Sequence, residues 1–142
     1  MAKGIKAGVI GAGIGKFHIE GYQKHPKAQV VALADLNEAV LGAVGRSFGI
    51  QTLYTDYKEM LADPEIDCVS VCVPNSLHAP VVIACLQAGK HVLCEKPLAR
   101  NAKEGAKMVQ AAEDAGKKFM IQFNNRYRPE ATLLKDYATG GE

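Results

Sequence analysis

Short apolar runs alternate along this chain with longer stretches in which apolar residues recur every three or four positions. The runs fall at about 5–10, 29–34, 67–73, 91–94 and 118–123 and are rich in Val and Ile. Their continuity predicts strands buried on both faces. In residues 75–89, Leu77, Val81, Ala84 and Ala88 mark one face of a helix, with Asn75 or Ser76 placed to cap it and Gly89 to end it. In residues 101–116 the corresponding stripe is Ala102, Ala106, Val109 and Ala112, between an Asn101 cap and a Gly116 stop. Residues 37–48 and 56–62 predict shorter helices, the second opened by Asp56 and closed before Pro64. Residues 52–54 predict a small edge strand.

Strand and helix in alternation imply parallel crossovers, hence an α/β fold with a doubly wound parallel sheet in three layers, α/β/α. Ligands of such sheets sit beyond the carboxyl ends of the strands. Those ends carry Gly11 to Gly15, Asp35, Pro74 and Asn75, Glu95 to Pro97, and Asn124 to Arg126.

Composition narrows the picture. At 142 residues the chain has the size of one domain. Its net charge is only +2, with the basic residues scattered and no Trp, which argues against a nucleic-acid surface. The longest aliphatic stretch, Val81 to Leu86, is too short to span a bilayer, and the first strand pattern begins at Ile5, leaving no room for a leader. A cytoplasmic protein without nucleic-acid or membrane partners is expected. Cys68, Cys72, Cys85 and Cys94 lie in apolar runs without metal-ligand spacing, so buried thiols and no metal site are expected.

The chemistry begins at AGVIGAGIGKFH, residues 7–18, where Gly11, Gly13 and Gly15 separate a strand pattern from a helix pattern. Twenty positions after Gly15, Asp35 ends the run VVALAD. A glycine turn that lets backbone amides approach a pyrophosphate, followed by an acidic strand tip that accepts from a ribose, is the signature of a Rossmann-type dinucleotide site. It favours the strand order 3-2-1-4-5-6. The spacing G-x-G-x-G is one residue shorter than the usual G-x-G-x-x-G. A phosphate loop of the G-x-x-x-x-G-K-[ST] type is excluded, because Ile10 and Phe17 stand where it needs Gly and a hydroxyl. An S-adenosylmethionine site has the right glycine spacing but would need an acid at Val9. Asp35 favours NAD over NADP, with Leu36 and Asn37 offering no charge to a 2′-phosphate. Asp35 could equally cap the helix that follows.

A second constellation, HVLCEKP at 91–97, puts Lys96 at a strand end. There it could exchange a proton with a hydroxyl or carbonyl oxygen, or simply be a solvated surface lysine. Together the glycine turn with His18, the tip at Asp35, VPNSLH at 73–78, CEKP at 94–97 and FNNRYRPE at 123–130 resemble the Gfo/Idh/MocA oxidoreductase family. The resemblance implies that Gly11, Gly13, Ile14 and Gly15 hold the pyrophosphate and that Asp35 holds the adenosine ribose. It places Val73, Pro74, Asn75 and His78 along the nicotinamide side. Glu95 and Lys96 would meet the nicotinamide ribose, with Lys96 also the catalytic proton carrier. Arg126 would lie near the cofactor or the domain junction. A cis Lys96–Pro97 peptide is expected. His18 would line the phosphate turn or pack beneath the first helix.

In that family a second domain builds the substrate pocket. Here residues 1–128 are expected to form the dinucleotide domain and 129–142 the start of a connection to a substrate domain that is absent. The implied function is hydride transfer between NAD and a sugar, cyclitol or similar polyol, with this chain alone binding cofactor and turning over little. The alternative is a dinucleotide-responsive binding module. An exposed apolar patch at the missing interface would favour that module or a homo-oligomer.

Overall fold

The computed structural model describes residues 4–140. The outermost positions of the two expected segments, 1–3 and 141–142, lie outside the described residues. Six parallel strands are ordered β3-β2-β1-β4-β5-β6: β1 (Ile5–Ile10), β2 (Ala28–Ala34), β3 (Thr52–Tyr54), β4 (Cys68–Val71), β5 (His91–Glu95) and β6 (Phe119–Gln122). This is the expected order. The strand order reverses beside β1, between β1 and β4, which opens a crevice at their carboxyl ends. The fourth strand stops at Val71, so Cys72 and Val73 belong to the turn that follows it.

Helices α1 (Ala12–Gln23) and α2 (Glu38–Phe48) cover one face. Helices α3 (Tyr57–Leu61), α4 (His78–Gln87) and α5 (Ala102–Ala115) cover the other. Alternation along the strands divides the core in two. Val9, Val30 and Leu33 meet Ala12, Ile19 and Leu41 of the first layer. Ile10, Ala32, Val69, Val71, Val92 and Cys94 meet Met60, Val82, Leu86 and Met108 of the second. Among the described residues no helix is long and apolar enough to cross a membrane.

The helix ends follow the local chemistry. Asn37, Asp56 and Asn101 each accept a backbone amide from the first turn of the helix they precede, a contribution of about 1 kcal/mol apiece. Gly49 and Gly116 close α2 and α5 in the left-handed region. Asn37, not Asp35, is the cap of α2.

Two helix faces differ from expectation. In 75–89 a 3-10 turn over Asn75–Leu77 precedes α4, whose buried side is His78, Ala79, Val81, Val82, Cys85 and Leu86, while Leu77 and Ala88 are exposed. The change of helix type resets the phase. In α5 the buried side is Gly105, Met108 and Ala112, and Val109 is outside. Alanines suit either face of a helix, so the one long side chain, Met108, sets the orientation. Past β6 a 3-10 turn (Asn124–Tyr127) leads into α6 (Pro129–Gly140), none of whose residues is buried.

Candidate dinucleotide and proton-transfer site

The three glycines have three different reasons to be glycine. Gly11 has φ +96°, and a Cβ there would lie 2.3 Å from the Cys72 carbonyl oxygen, inside the neighbouring backbone. Gly15 faces the sheet, where a Cβ would lie 2.7 Å from Val9 Cγ1, so it lets α1 sit close on β1. Gly13 is exposed, and a Cβ there would meet nothing within 4 Å. The shortened spacing therefore keeps the division of labour of a dinucleotide turn: bend, open approach, close packing.

Beside this turn stands Asp35. Its Oδ2 accepts from the Ala12 amide at 2.7 Å and its Oδ1 from the Asn37 amide at 2.8 Å. Each carboxylate oxygen keeps a lone pair for a further donor. With the Ala12 amide engaged, the Gly13 and Ile14 amides remain in the first turn of α1, where helix geometry supplies no intrahelical acceptor. The first turn of α1 carries no acidic side chain to compete for an anion. These features fit the pyrophosphate and ribose of a dinucleotide: open space over Gly13, amides without intrahelical acceptors, and a fixed carboxylate.

Across the crevice, Val73 is half-buried and Pro74 and Asn75 are exposed. His78, expected beside the nicotinamide, is fully buried instead. Its Nδ1 lies 2.8 Å from the Pro97 carbonyl and its Nε2 3.0 Å from the Val73 carbonyl. A neutral imidazole donates to one of these at a time. The ring ties the turn after β4 to the turn after β5 and supports a site without facing it.

At the end of β5, Lys96 and Pro97 are exposed and joined by a cis peptide. With Phe123, Asn124, Asn125, Arg126 and Ala131 they line a cleft of about 600 Å³. Lys96 and Arg126 thus share one cavity. Glu95 points inward: its Oε1 lies 3.0 Å from His18 Nε2, and its Oε2 accepts from the Lys96 amide at 3.1 Å. His18 Nδ1 lies 3.1 Å from Ser70 Oγ, which is 3.0 Å from the Tyr22 hydroxyl. His18 therefore packs beneath α1, the second of the two placements expected for it. Burial pushes the Tyr22 phenol well above its ordinary range and raises the Cys85 and Cys94 thiols to about 12. All four cysteines are free, and among the described residues no cluster of His, Cys, Asp or Glu could hold a metal.

Sequence reasoning did not single out Ser70 or Tyr22. Ser70 sits at a core position of β4, and a hydroxyl inside an apolar run was the available signal.

A parallel sheet with this glycine turn and this acidic tip, and with its order reversing between β1 and β4, defines a dinucleotide-binding Rossmann domain. Residues 5–123 match the family described as GFO_IDH_MocA, oxidoreductase family, NAD-binding Rossmann fold, and the chain belongs to that family. It is 35% identical to levoglucosan dehydrogenase from Pseudarthrobacter phenanthrenivorans, over 96% of this chain and 37% of that protein. It is 34% identical to myo-inositol 2-dehydrogenase from Thermotoga maritima, over 96% of this chain and 41% of that protein. The structure of the WlbA dehydrogenase from Bordetella pertussis, in complex with NADH and UDP-GlcNAcA, superposes with a TM-score of 0.93 at 31% identity, covering 98% of this chain and 43% of that one. The chain thus spans about two-fifths of the length of these relatives.

Proposed function

We propose that this chain is the cofactor-binding part of a dehydrogenase that moves hydride between NAD and a hydroxyl carbon of a sugar, cyclitol or similar polyol. On its own it binds cofactor with little turnover. The observation that carries this reading is the open space over Gly13 set against the Asp35 carboxylate, 2.7 Å from the Ala12 amide.

In this reading the Gly13 and Ile14 amides, on the backbone shaped by Gly11 and Gly15, hold the pyrophosphate. Asp35 accepts from the adenosine ribose and repels a 2′-phosphate, which favours NAD over NADP. Val73, Pro74 and Asn75 border the nicotinamide side, and Glu95 and Lys96 lie at its ribose. When bound, the nicotinamide accepts or returns the hydride. Lys96 takes the proton from the substrate hydroxyl, or gives one to a carbonyl oxygen, inside a cleft where Arg126 and two asparagines supply polar contacts. Residues 129–142 begin the connection to the part that positions substrate. That part would orient the reacting carbon. The relatives named above, a levoglucosan dehydrogenase and a myo-inositol 2-dehydrogenase, support the substrate class.

Titration of NADH and of NADPH into the chain, followed by nicotinamide fluorescence, tests the proposal. Saturable binding with NADH the tighter ligand is expected. Binding of neither cofactor would overturn it, and tighter NADPH would overturn the role given to Asp35.

A further inference from the structure

Lys96 is exposed at the end of β5, and each of its two neighbours has a polar group within reach of a buried histidine. His78 Nδ1, from α4, lies 2.8 Å from the Pro97 carbonyl. His18, from α1, takes the Glu95 carboxylate, in a pair whose side chains are only 6% and 16% exposed. The consequence for Glu95 is the informative one. Glu95 is the carboxylate nearest Lys96 in the chain, and a carboxylate that reached the ammonium would favour the charged amine. Here the carboxylate is turned away. Its partners are His18 Nε2 and the Lys96 backbone amide, and among the described residues the Lys96 ammonium has no ion-pair partner. His18 is in turn fixed at its other nitrogen by Ser70, itself bonded to Tyr22. A row of side chains thus runs from α1 through β4 to the end of β5.

We propose that His18 is a positioning residue for Lys96: it keeps the Glu95 carboxylate inside the fold and off the lysine ammonium, leaving that amine available to a substrate oxygen. This rests on the role proposed above for Lys96. It adds that α1, which carries the phosphate turn at one end, also sets the electrostatics of the proton carrier through its second turn. The charged groups sharing the surroundings of Lys96 are Glu95 on its own strand end and Arg126 across the cleft. Among the described residues that line the cleft, Arg126 is the charged side chain other than Lys96 itself.

The test is amine-selective acylation of the whole chain at low conversion, with the rate at Lys96 read by peptide mass spectrometry against the exposed Lys58 and Lys107 as internal references. His18→Phe frees Glu95 to pair with Lys96, so Lys96 should slow about threefold relative to the references, the scale of an exposed ion pair. His18→Gln returns a donor near the Nε2 position and should restore the wild-type ratio. His18→Phe combined with Glu95→Gln should also restore it, because the neutral amide makes no ion pair. Loss of packing alone would not produce this pattern of rescue. An unchanged Lys96 ratio in folded His18→Phe overturns the proposal. Should that variant fail to fold, Glu95→Gln alone decides: an unchanged Lys96 rate is expected, and a faster one would mean that the carboxylate already sits on the lysine. The readout needs no cofactor, so failure here is distinct from failure to bind NADH.

Discussion

Around β1 and β2 the sheet is closed on both faces, whereas around β5 and β6 it is closed on one. On the β1 side, Val9, Leu33 and Val30 pack under α1 and α2 while Ile10, Ala32 and Ala34 pack under the opposite layer, all of them buried. On the β5 side, Val92 and Cys94 are buried with Ile121 and Phe119 packed alongside, but the other face presents Leu93 half-covered and Met120 47% exposed. Phe123, Tyr127, Leu133, Leu134 and Tyr137 continue the exposed apolar surface through α6. The elements proposed to grip the adenosine and pyrophosphate are therefore completed within this chain. The elements proposed to meet the substrate stand beside an uncovered face.

That contrast breaks first at Gly11. Alanine there needs an unfavourable positive φ and a methyl 2.3 Å from a carbonyl oxygen in the adjoining turn. Backbone cannot yield as a side chain does, so Gly11→Ala should cost about 3 kcal/mol or more in urea unfolding and abolish NADH binding. Gly15→Ala should cost somewhat less, about 2 kcal/mol, because the obstructing atom is Val9 Cγ1, a side-chain methyl. Adding Val9→Ala to Gly15→Ala should recover part of the loss. If the double variant is no better than Gly15→Ala alone, close packing of α1 on β1 is not why that glycine is there.

Asp35→Asn separates ligand binding from folding. The amide oxygen can still accept one of the two backbone amides while the other loses its acceptor, so stability should fall by about 1–2 kcal/mol. The ribose, however, loses a charged acceptor, and NADH should bind about tenfold more weakly. NADPH should lose less, because the repulsion of its 2′-phosphate goes with the charge. Equal losses for both cofactors would remove Asp35 from the basis of cofactor choice.

The sheet was legible because its inner strands β1, β2 and β4 are largely buried on both faces and its elements are bounded by residues with strong local preferences: the glycine turn, Asp56, Asn101 and Gly116; burial on both faces, expected of all the apolar runs, does not extend to β5 and β6, whose second face is open. The phase of α4 and α5 was not, because alanine-rich stretches give the same hydrophobic signal on neighbouring faces and the 3-10 turn at Asn75–Leu77 has no periodic signature. The residues around the crevice were nameable from motif spacing, but their partners were not. Nothing in the sequence says that His78 turns inward to two carbonyls, or that Glu95 prefers His18, 77 positions away, to its neighbour Lys96. The first pairing is set by the seat of α4 between two turns and the second by the passage of α1 over β4 and the end of β5, both of which exist only once the chain is folded.

The smallest effect concerns the open side. α6 buries none of its residues, and apolar area left in water contributes nothing to folding. A chain ending at Arg128 should therefore unfold within about 0.5 kcal/mol of the full chain, with NADH affinity unchanged. It should also lose the surface formed by Leu133, Leu134 and Tyr137, and so associate less with apolar surfaces, read by reduced binding of a hydrophobic dye. Ala131 is the one α6 residue lining the Lys96 cleft, so the truncation opens that cleft without removing Lys96, Asn124 or Arg126. A loss of several kcal/mol would mean that α6 supports the β5–β6 half in solution, and the contrast between the two sides of the sheet would disappear.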